Sequence, residues 1–192
     1  MRPFFTRFIE IVINPDWFFE RAEDEDGWLL PLTHFGMLVV WLSLATVLAW
    51  ALGVRADSPL NVALLAQRVV FTYWQDVLLP GMGAASYAVT VLLLALALVM
   101  TAIVLTPLLY LWMRYTGGSD ERGGLRRAFQ AVAYGLTPVA FGGFVPGLAL
   151  GLGVYALVLM LYTGPAILLR NRSVFGYAPV LFALVLTILQ VW

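Results

Sequence analysis

The chain has 192 residues, of which 62% are hydrophobic and only 11% are charged. A soluble domain carries about 25% charged residues, so this chain cannot cover a water-facing surface and is predicted to be an all-α integral membrane protein. The absence of Cys and Lys excludes thiolate and Schiff-base chemistry, and a single His excludes a multi-His metal site. Because the net charge is zero, nucleic-acid binding is not expected. No cofactor or metal is predicted.

Residues 1–27 are predicted to form a cytoplasmic arm with an amphipathic helix, a short second helix and an acidic run. The apolar face of the first helix consists of Phe4, Phe5, Phe8 and Val12. Asn14 and Pro15 match the cap and first position of the second helix, whose aromatic side chains suit the headgroup region. The acidic run could hold a divalent cation, but it lacks the spacing of an EF-hand loop and is interpreted as a solvated charge run.

Long charge-free stretches predict five membrane-spanning helices, since one span needs about 20 apolar residues. The longest stretch, 128–169, breaks at a Gly- and Pro-rich turn and therefore holds two helices. The predicted spans, which form a membrane domain of residues 28–192, are 28–53, 84–113, 128–142, 147–169 and 174–192.

Residues 59–79 are predicted to form an amphipathic helix in the interface, ended by Pro80 and Gly81. A re-entrant or sixth membrane segment is the alternative. Arg68 near the middle argues against a span, because a central Arg costs about 3 kcal/mol in a bilayer.

The distribution of Arg predicts the orientation. Nine of the eleven Arg residues fall on the side of the N-terminus if the chain crosses the membrane five times. The positive-inside rule then places the N-terminus in the cytoplasm and the C-terminus outside. The predicted location is the inner (cytoplasmic) membrane, with multiple passes.

Few polar side chains lie in the predicted spans. His34 could relay protons, but a neutral His bonded to a neighbour is the simpler interpretation. Gly147 and Gly151 match the GxxxG pattern and are expected to bring the third and fourth spans together, or to form a dimer face. The residues predicted to set helix packing and kinks are Tyr134, Gly135, Pro138, Gly147, Gly151, Gly164 and Pro165.

The cytoplasmic face is predicted to contact lipid or partners. The basic loop 114–127 could bind anionic headgroups or an acidic partner, or could serve only to set topology. The predicted contact residues are Phe4, Phe5, Phe8, Trp17, Arg114, Arg122, Arg126 and Arg127.

Several motifs together resemble the Yip-one family of Ypt/Rab-interacting membrane proteins, in its prokaryotic branch. They are FIEIVINPDWFF at 8–19, YTGG at 115–118, FQAVAYGLTP at 129–138 and YALVLMLYTGP at 155–165. The resemblance implies a five-span helical domain with a cytoplasmic N-terminus. Eukaryotic members act in vesicle trafficking and bind prenylated Rab-type GTPases. Because the region before the first span has only about 27 residues here, small-GTPase binding is not expected of this chain.

Three functions are compatible with these patterns. The first is a non-enzymatic membrane scaffold or adaptor that organises the bilayer or recruits cytoplasmic partners. The second is a small oligomeric transporter or channel with a pathway lined by Tyr and Thr. A lipid enzyme comes last, because no carboxylate pair, His cluster or Ser/His/Asp set is visible. The expected partners are the lipid bilayer and a second copy or a related membrane protein. A water-filled polar interior would favour transport, and a dry one would favour the scaffold.

Overall fold

The computed structural model describes residues 4–25, 27–53, 69–115, 124–141 and 146–168, and every regular element in these ranges is helical. Two short helices come first, α1 (Phe4–Ile13) and α2 (Pro15–Glu23). Asn14 separates them as predicted, since its side chain accepts a hydrogen bond from the backbone N–H of Trp17. Pro15 follows at the first helical position, where a missing N–H costs nothing.

Two long helices form the frame of the molecule. They are α3 (Leu29–Ala51) and α5 (Ala85–Tyr115). Within the described residues these are the two helices long and apolar enough to cross a membrane, and they coincide with the predicted spans 28–53 and 84–113. More than half of the apolar window of α3 is buried, against about a fifth for α5, so α5 lies at the edge of the helices that the structure describes.

Helix α4 covers 69–82 and connects to α5 through Gly83, whose φ is +54°. It contains a π-helical turn, Trp74–Leu78, followed by an α turn, Leu79–Met82. The predicted end at Pro80 and Gly81 was therefore wrong. In the π turn, the N–H of Leu79 donates a hydrogen bond to the carbonyl of Trp74. Pro80 then lies at the start of the next α turn, where its missing N–H is tolerated. The first part of the predicted interfacial helix lies outside the described residues.

The remaining helices pack against one end of this frame. α6 (Gly124–Gly135) leads into a 3₁₀ turn (Thr137–Phe141). α7 begins at Pro146, passes through a π-helical turn (Leu159–Thr163) and ends with the α turn Gly164–Leu168.

The predicted third span, 128–142, holds two elements rather than one helix. Pro138 has no N–H to continue the α-helical ladder, and the chain tightens so that Val139 bonds back to Leu136. The predicted fifth span, 174–192, lies outside the described residues.

Two clusters of buried side chains result. The larger, called here the arm end, joins α1, α2, α6 and α7 to the first half of α3 and the second half of α5. The smaller, called the far end, joins the last turn of α3 to α4 and the start of α5.

Candidate functional site

A group of polar side chains ties the N-terminal helices to α6. We call it the clasp and define it as Arg7, Glu25, Arg126, Gln130 and Tyr134. The hydroxyl of Tyr134 donates to Glu25 Oε2 at 2.6 Å. Arg7 Nη2 donates to Glu25 Oε1 at 2.9 Å, and both side chains of this ion pair are only 15% exposed. The two carboxylate oxygens of Glu25 therefore hold α1 on one side and α6 on the other.

The same surface of α6 also donates hydrogen bonds to backbone carbonyls at the end of α2. The last carbonyls of a helix have no partner within it, so a buried helix end needs donors from elsewhere. Gln130 Nε2 donates to the carbonyl of Ala22 at 3.3 Å, and Arg126 donates to the carbonyl of Glu25. An Arg near the C-terminal end of α2 also complements the helix dipole. The end of α2 is thus fixed by side chains more than 100 residues away in sequence.

A second ion pair joins α1 to α2. Arg21 donates to Glu10, and the guanidinium of Arg21 also lies over the ring of Trp17, 4.2 Å from its centroid. Together with the Arg7–Glu25 pair, this contact means that the two charged residues of α1 are both paired within the protein.

Aromatic packing completes the attachment of α2. Phe18 and Phe19 are almost fully buried, and their rings lie 4.9 Å and 6.4 Å from the ring of Tyr134. Tyr134 therefore contributes its ring to the core and its hydroxyl to the clasp, which suits a residue with an apolar body and a polar tip.

His34 lies beside this aromatic group. His34 Nε2 and Thr137 Oγ1 are 3.0 Å apart, and the ring sits between those of Phe4 and Tyr134, at 5.2 Å and 5.1 Å. A histidine bonded to a neighbour was the simpler of the two interpretations, and the structure agrees with it.

Two predicted packing glycines lie where helices approach each other closely. A Cβ on Gly135 would stand 2.8 Å from the backbone of Met160, and one on Gly164 would stand 3.2 Å from both Ala131 and Phe19. Neither position has room for a side chain, so α6, α7 and α2 meet at these glycines.

Other predicted packing residues occupy different surroundings. Gly151 makes no contact with α6 among the described residues: apart from its own helical turn, none of their atoms lies within 4 Å of a Cβ placed on it. Its partner in the motif, Gly147, belongs to α7. Pro138 lies in the 3₁₀ turn, and Pro165 is buried directly after the π-helical turn of α7.

The predicted aromatic contact residues divide between the interior and the surface. Phe8 is only 5% exposed and belongs to the arm-end cluster, and Phe4 packs against that cluster. Phe5 and Trp17 remain exposed. The difference follows from helix geometry. Phe4 and Phe8 are one helical turn apart, so they lie on the same face of α1, and this face packs against the protein interior.

The predicted basic contact residues also differ. Arg126 is part of the clasp, Arg127 is half-buried, and Arg114 is exposed. Arg122 lies outside the described residues.

Sequence reasoning missed Glu25, which it assigned to a solvated charge run. A signal was present, since Arg126, Gln130 and Tyr134 recur every four residues and form a polar stripe on a helix otherwise suited to burial. Such a stripe requires a polar partner. In the part of the chain that the structure describes, no three His, Asp or Glu side chains are placed to share a metal ion.

One of the comparisons with known proteins identifies a family. The Yip1 domain profile matches residues 9–192. The chain belongs to the Yip1 domain family. Searches among curated proteins and among solved structures gave no match. With its two long apolar helices, the chain is a Yip1-type membrane protein. The clasp is one of the contacts that hold the N-terminal helices to α6.

Proposed function

We propose that this Yip1 domain is a non-enzymatic membrane scaffold or adaptor, which organises the membrane or recruits cytoplasmic partners. The observation that carries the proposal is the clasp. Arg7, Glu25 and Tyr134 hold the arm to α6 through a continuous set of partly buried polar contacts. A fixed arm presents a surface of constant shape, and a rigid surface loses less entropy when a partner binds.

The polar side chains of the helices support the scaffold over a transporter. Thr90 and Thr101 donate to carbonyls one turn earlier in their own helix. Tyr155 donates to the carbonyl of Val12, and Thr137 bonds to His34. These hydroxyls are bonded to groups of the protein, whereas a transport pathway would need such hydroxyls directed into a wet cavity.

A cavity between α3, α5 and the 3₁₀ turn also favours a dry interior. Its lining is entirely apolar and consists of Phe35, Leu38, Val39, Leu42, Leu98, Leu136 and Val139. A polar solute passing here would lose its hydration without gaining a hydrogen bond.

The proposal includes five spans, a cytoplasmic N-terminus and an external C-terminus in the inner membrane. The arm end supports this topology. Gly124 at the start of α6 lies against Tyr110 near the end of α5, and α2 packs against the last turn of α7. The arm, the end of α5, the start of α6 and the end of α7 therefore lie at one end of the molecule, which is the arrangement that the distribution of Arg predicts.

The proposed partners are the lipid bilayer and a second copy of the chain or a related membrane protein. Trp17, Phe5 and Arg114 are exposed on the surface of the described residues, where such partners would bind. An exposed Trp with a stacked Arg is the kind of side chain that dominates binding energy at protein interfaces.

Quantitative co-purification from native membranes after crosslinking tests this function. We expect the wild-type chain to retain a set of membrane proteins that Trp17→Ala loses, while Glu20→Ala, an exposed change on the same helix, leaves the set intact. The same purified protein reconstituted in vesicles should give no solute flux above that of empty vesicles. Flux proportional to the amount of protein would contradict the scaffold and support the transporter.

A further inference from the structure

Helix α1 has two apolar faces. One faces the protein, where Phe8 and Ile11 are 5% and 0% exposed. The other consists of Phe5, Ile9 and Ile13, which are 61%, 54% and 76% exposed. Residues spaced by four lie above one another on a helix, so these three form a continuous outer stripe along the whole of α1. Packing against the other described residues accounts for the inner face, and none of those residues covers the outer stripe.

The contacts of α1 with α3 indicate how deep in the bilayer this stripe would lie. Phe4 lies 5.2 Å from the ring of His34, and Phe5 meets the ring of Trp41 edge-on at 6.0 Å. Trp41 is twelve residues beyond Leu29, which corresponds to about 18 Å along α3 at 1.5 Å per residue. The hydrocarbon core of a bilayer is about 30 Å thick. If α3 spans it, the Phe5 end of α1 lies well below the level at which α3 begins.

The charges of α1 are compatible with this depth. Arg7 pairs with Glu25, and Glu10 pairs with Arg21, so both charged groups of the helix are directed toward α2 and the chain that follows it. An unpaired charge at hydrocarbon depth would be costly, whereas a paired and hydrogen-bonded one is tolerated. The outer stripe itself carries no charged residue.

The outer stripe is also continuous with an exposed apolar surface of α3. Phe5 contacts Trp41, which borders an exposed side of α3 that includes Val40, Leu44 and Leu48. In a membrane protein that side of a spanning helix faces acyl chains. We infer that Phe5, Ile9 and Ile13 contact the acyl chains of one leaflet, so that α1 is embedded beside α3 instead of resting among the headgroups. This inference rests on the membrane orientation in the proposed function.

The absence of native Cys makes a direct test practical. Single-cysteine variants Phe5→Cys, Ile9→Cys and Ile13→Cys of the full chain would carry a nitroxide spin label in phosphatidylcholine–phosphatidylglycerol vesicles. Collision rates with oxygen, which concentrates in the bilayer, and with a nickel chelate, which stays in water, would be measured at each site. Leu44→Cys is the control for lipid, and Glu20→Cys, on the exposed surface of α2, is the control for water.

The expected oxygen-to-nickel ratios at Phe5→Cys and Ile9→Cys exceed that at Glu20→Cys many-fold and lie in the range of a lipid-facing site such as Leu44→Cys. The ratio should fall along α1 from Phe5→Cys to Ile13→Cys, because the Phe5 end lies deeper. A ratio like that of Glu20→Cys would overturn the inference, because the stripe would face water. Low collision rates with both reagents would also overturn it, since the stripe would then be covered by protein. If Leu44→Cys itself fails to report lipid, the membrane orientation in the proposed function fails instead.

Discussion

The two ends of the molecule are held together by different means. The arm end brings together residues more than 100 positions apart, through the clasp and through glycines that allow backbone contact. The far end joins segments close in sequence through large aromatic rings. Trp50 stacks on Trp74 at 5.7 Å, and Phe71 and Tyr87 pack around them. Trp74 Nε1 also donates to Ser86 Oγ at 3.1 Å.

The difference shows how sensitive each end should be to a single change. Aromatic packing spreads its stabilisation over many weak contacts, so the loss of one contact leaves the others in place. Where two helices touch at a glycine, an added side chain separates them along their length, so the neighbouring contacts are lost as well. Substitutions at the arm end should therefore disturb the whole structure, and those at the far end should act locally.

The largest effect is expected for Gly135→Leu. A Cβ alone would stand 2.8 Å from the backbone of Met160, so the larger side chain must push α6 and α7 apart. The free energy of unfolding in detergent should fall by about 3 kcal/mol, the upper part of the usual range for overpacking.

Gly151→Leu is the matched control, because it introduces the same side chain where no described atom lies within 4 Å. Its effect should stay within about 0.5 kcal/mol, as for other open positions. Equal losses in the two variants would remove the distinction between the close approach at Gly135 and the open site.

An intermediate effect is expected when the clasp is opened. Glu25→Gln removes the ion pair with Arg7 and weakens the bond from Tyr134, and should lower the free energy of unfolding by about 2 kcal/mol. In a double-mutant cycle with Tyr134→Phe, the two losses should be coupled by about 1 kcal/mol, because one change weakens and the other removes the same hydrogen bond. Glu20→Gln, at an exposed position, is the control. Additive losses would mean that Glu25 and Tyr134 do not interact in solution.

The smallest effect is expected at the far end. Ser86→Ala removes the acceptor for the buried N–H of Trp74 and should lower stability by about 1 kcal/mol, the usual range for one unsatisfied donor. The tryptophan emission spectrum should shift while the melting of the arm end, followed by amide exchange of α2, stays unchanged. A loss that spreads to α2 would show that the two ends are not independent.

The sequence predicts elements well where a single physical rule decides them. Charge-free length places α3 and α5, and the Asn14–Pro15 pair places the start of α2. Prediction from the sequence fails where two local preferences compete. Pro80 was expected to end α4, but a π-helical turn precedes it, so Pro80 lies at the start of a new α turn where no N–H is needed. A π turn has no recognisable sequence signature.

The candidate site was partly predictable for a similar reason. Tyr134, Gly135 and Gly164 were identified as packing residues by their type and place in an apolar helix. Glu25 was not, because its role depends on Arg7 and Tyr134, which approach it only after the chain has folded. Gly151 was assigned a contact from the GxxxG spacing, which gives the shape of a helix surface but does not say what packs against it.

The most direct test of the account is amide hydrogen exchange of α1 and α2 in the full-length chain in lipid nanodiscs. The central claim is that the arm is a packed part of the membrane domain. Backbone amides of Ile11, Phe18 and Phe19 should then exchange as slowly as those of α3, and Glu25→Gln should accelerate them selectively. Exchange of these amides at the rate of an unstructured peptide in the wild-type protein would contradict the account, because an arm that opens freely cannot be held by the clasp.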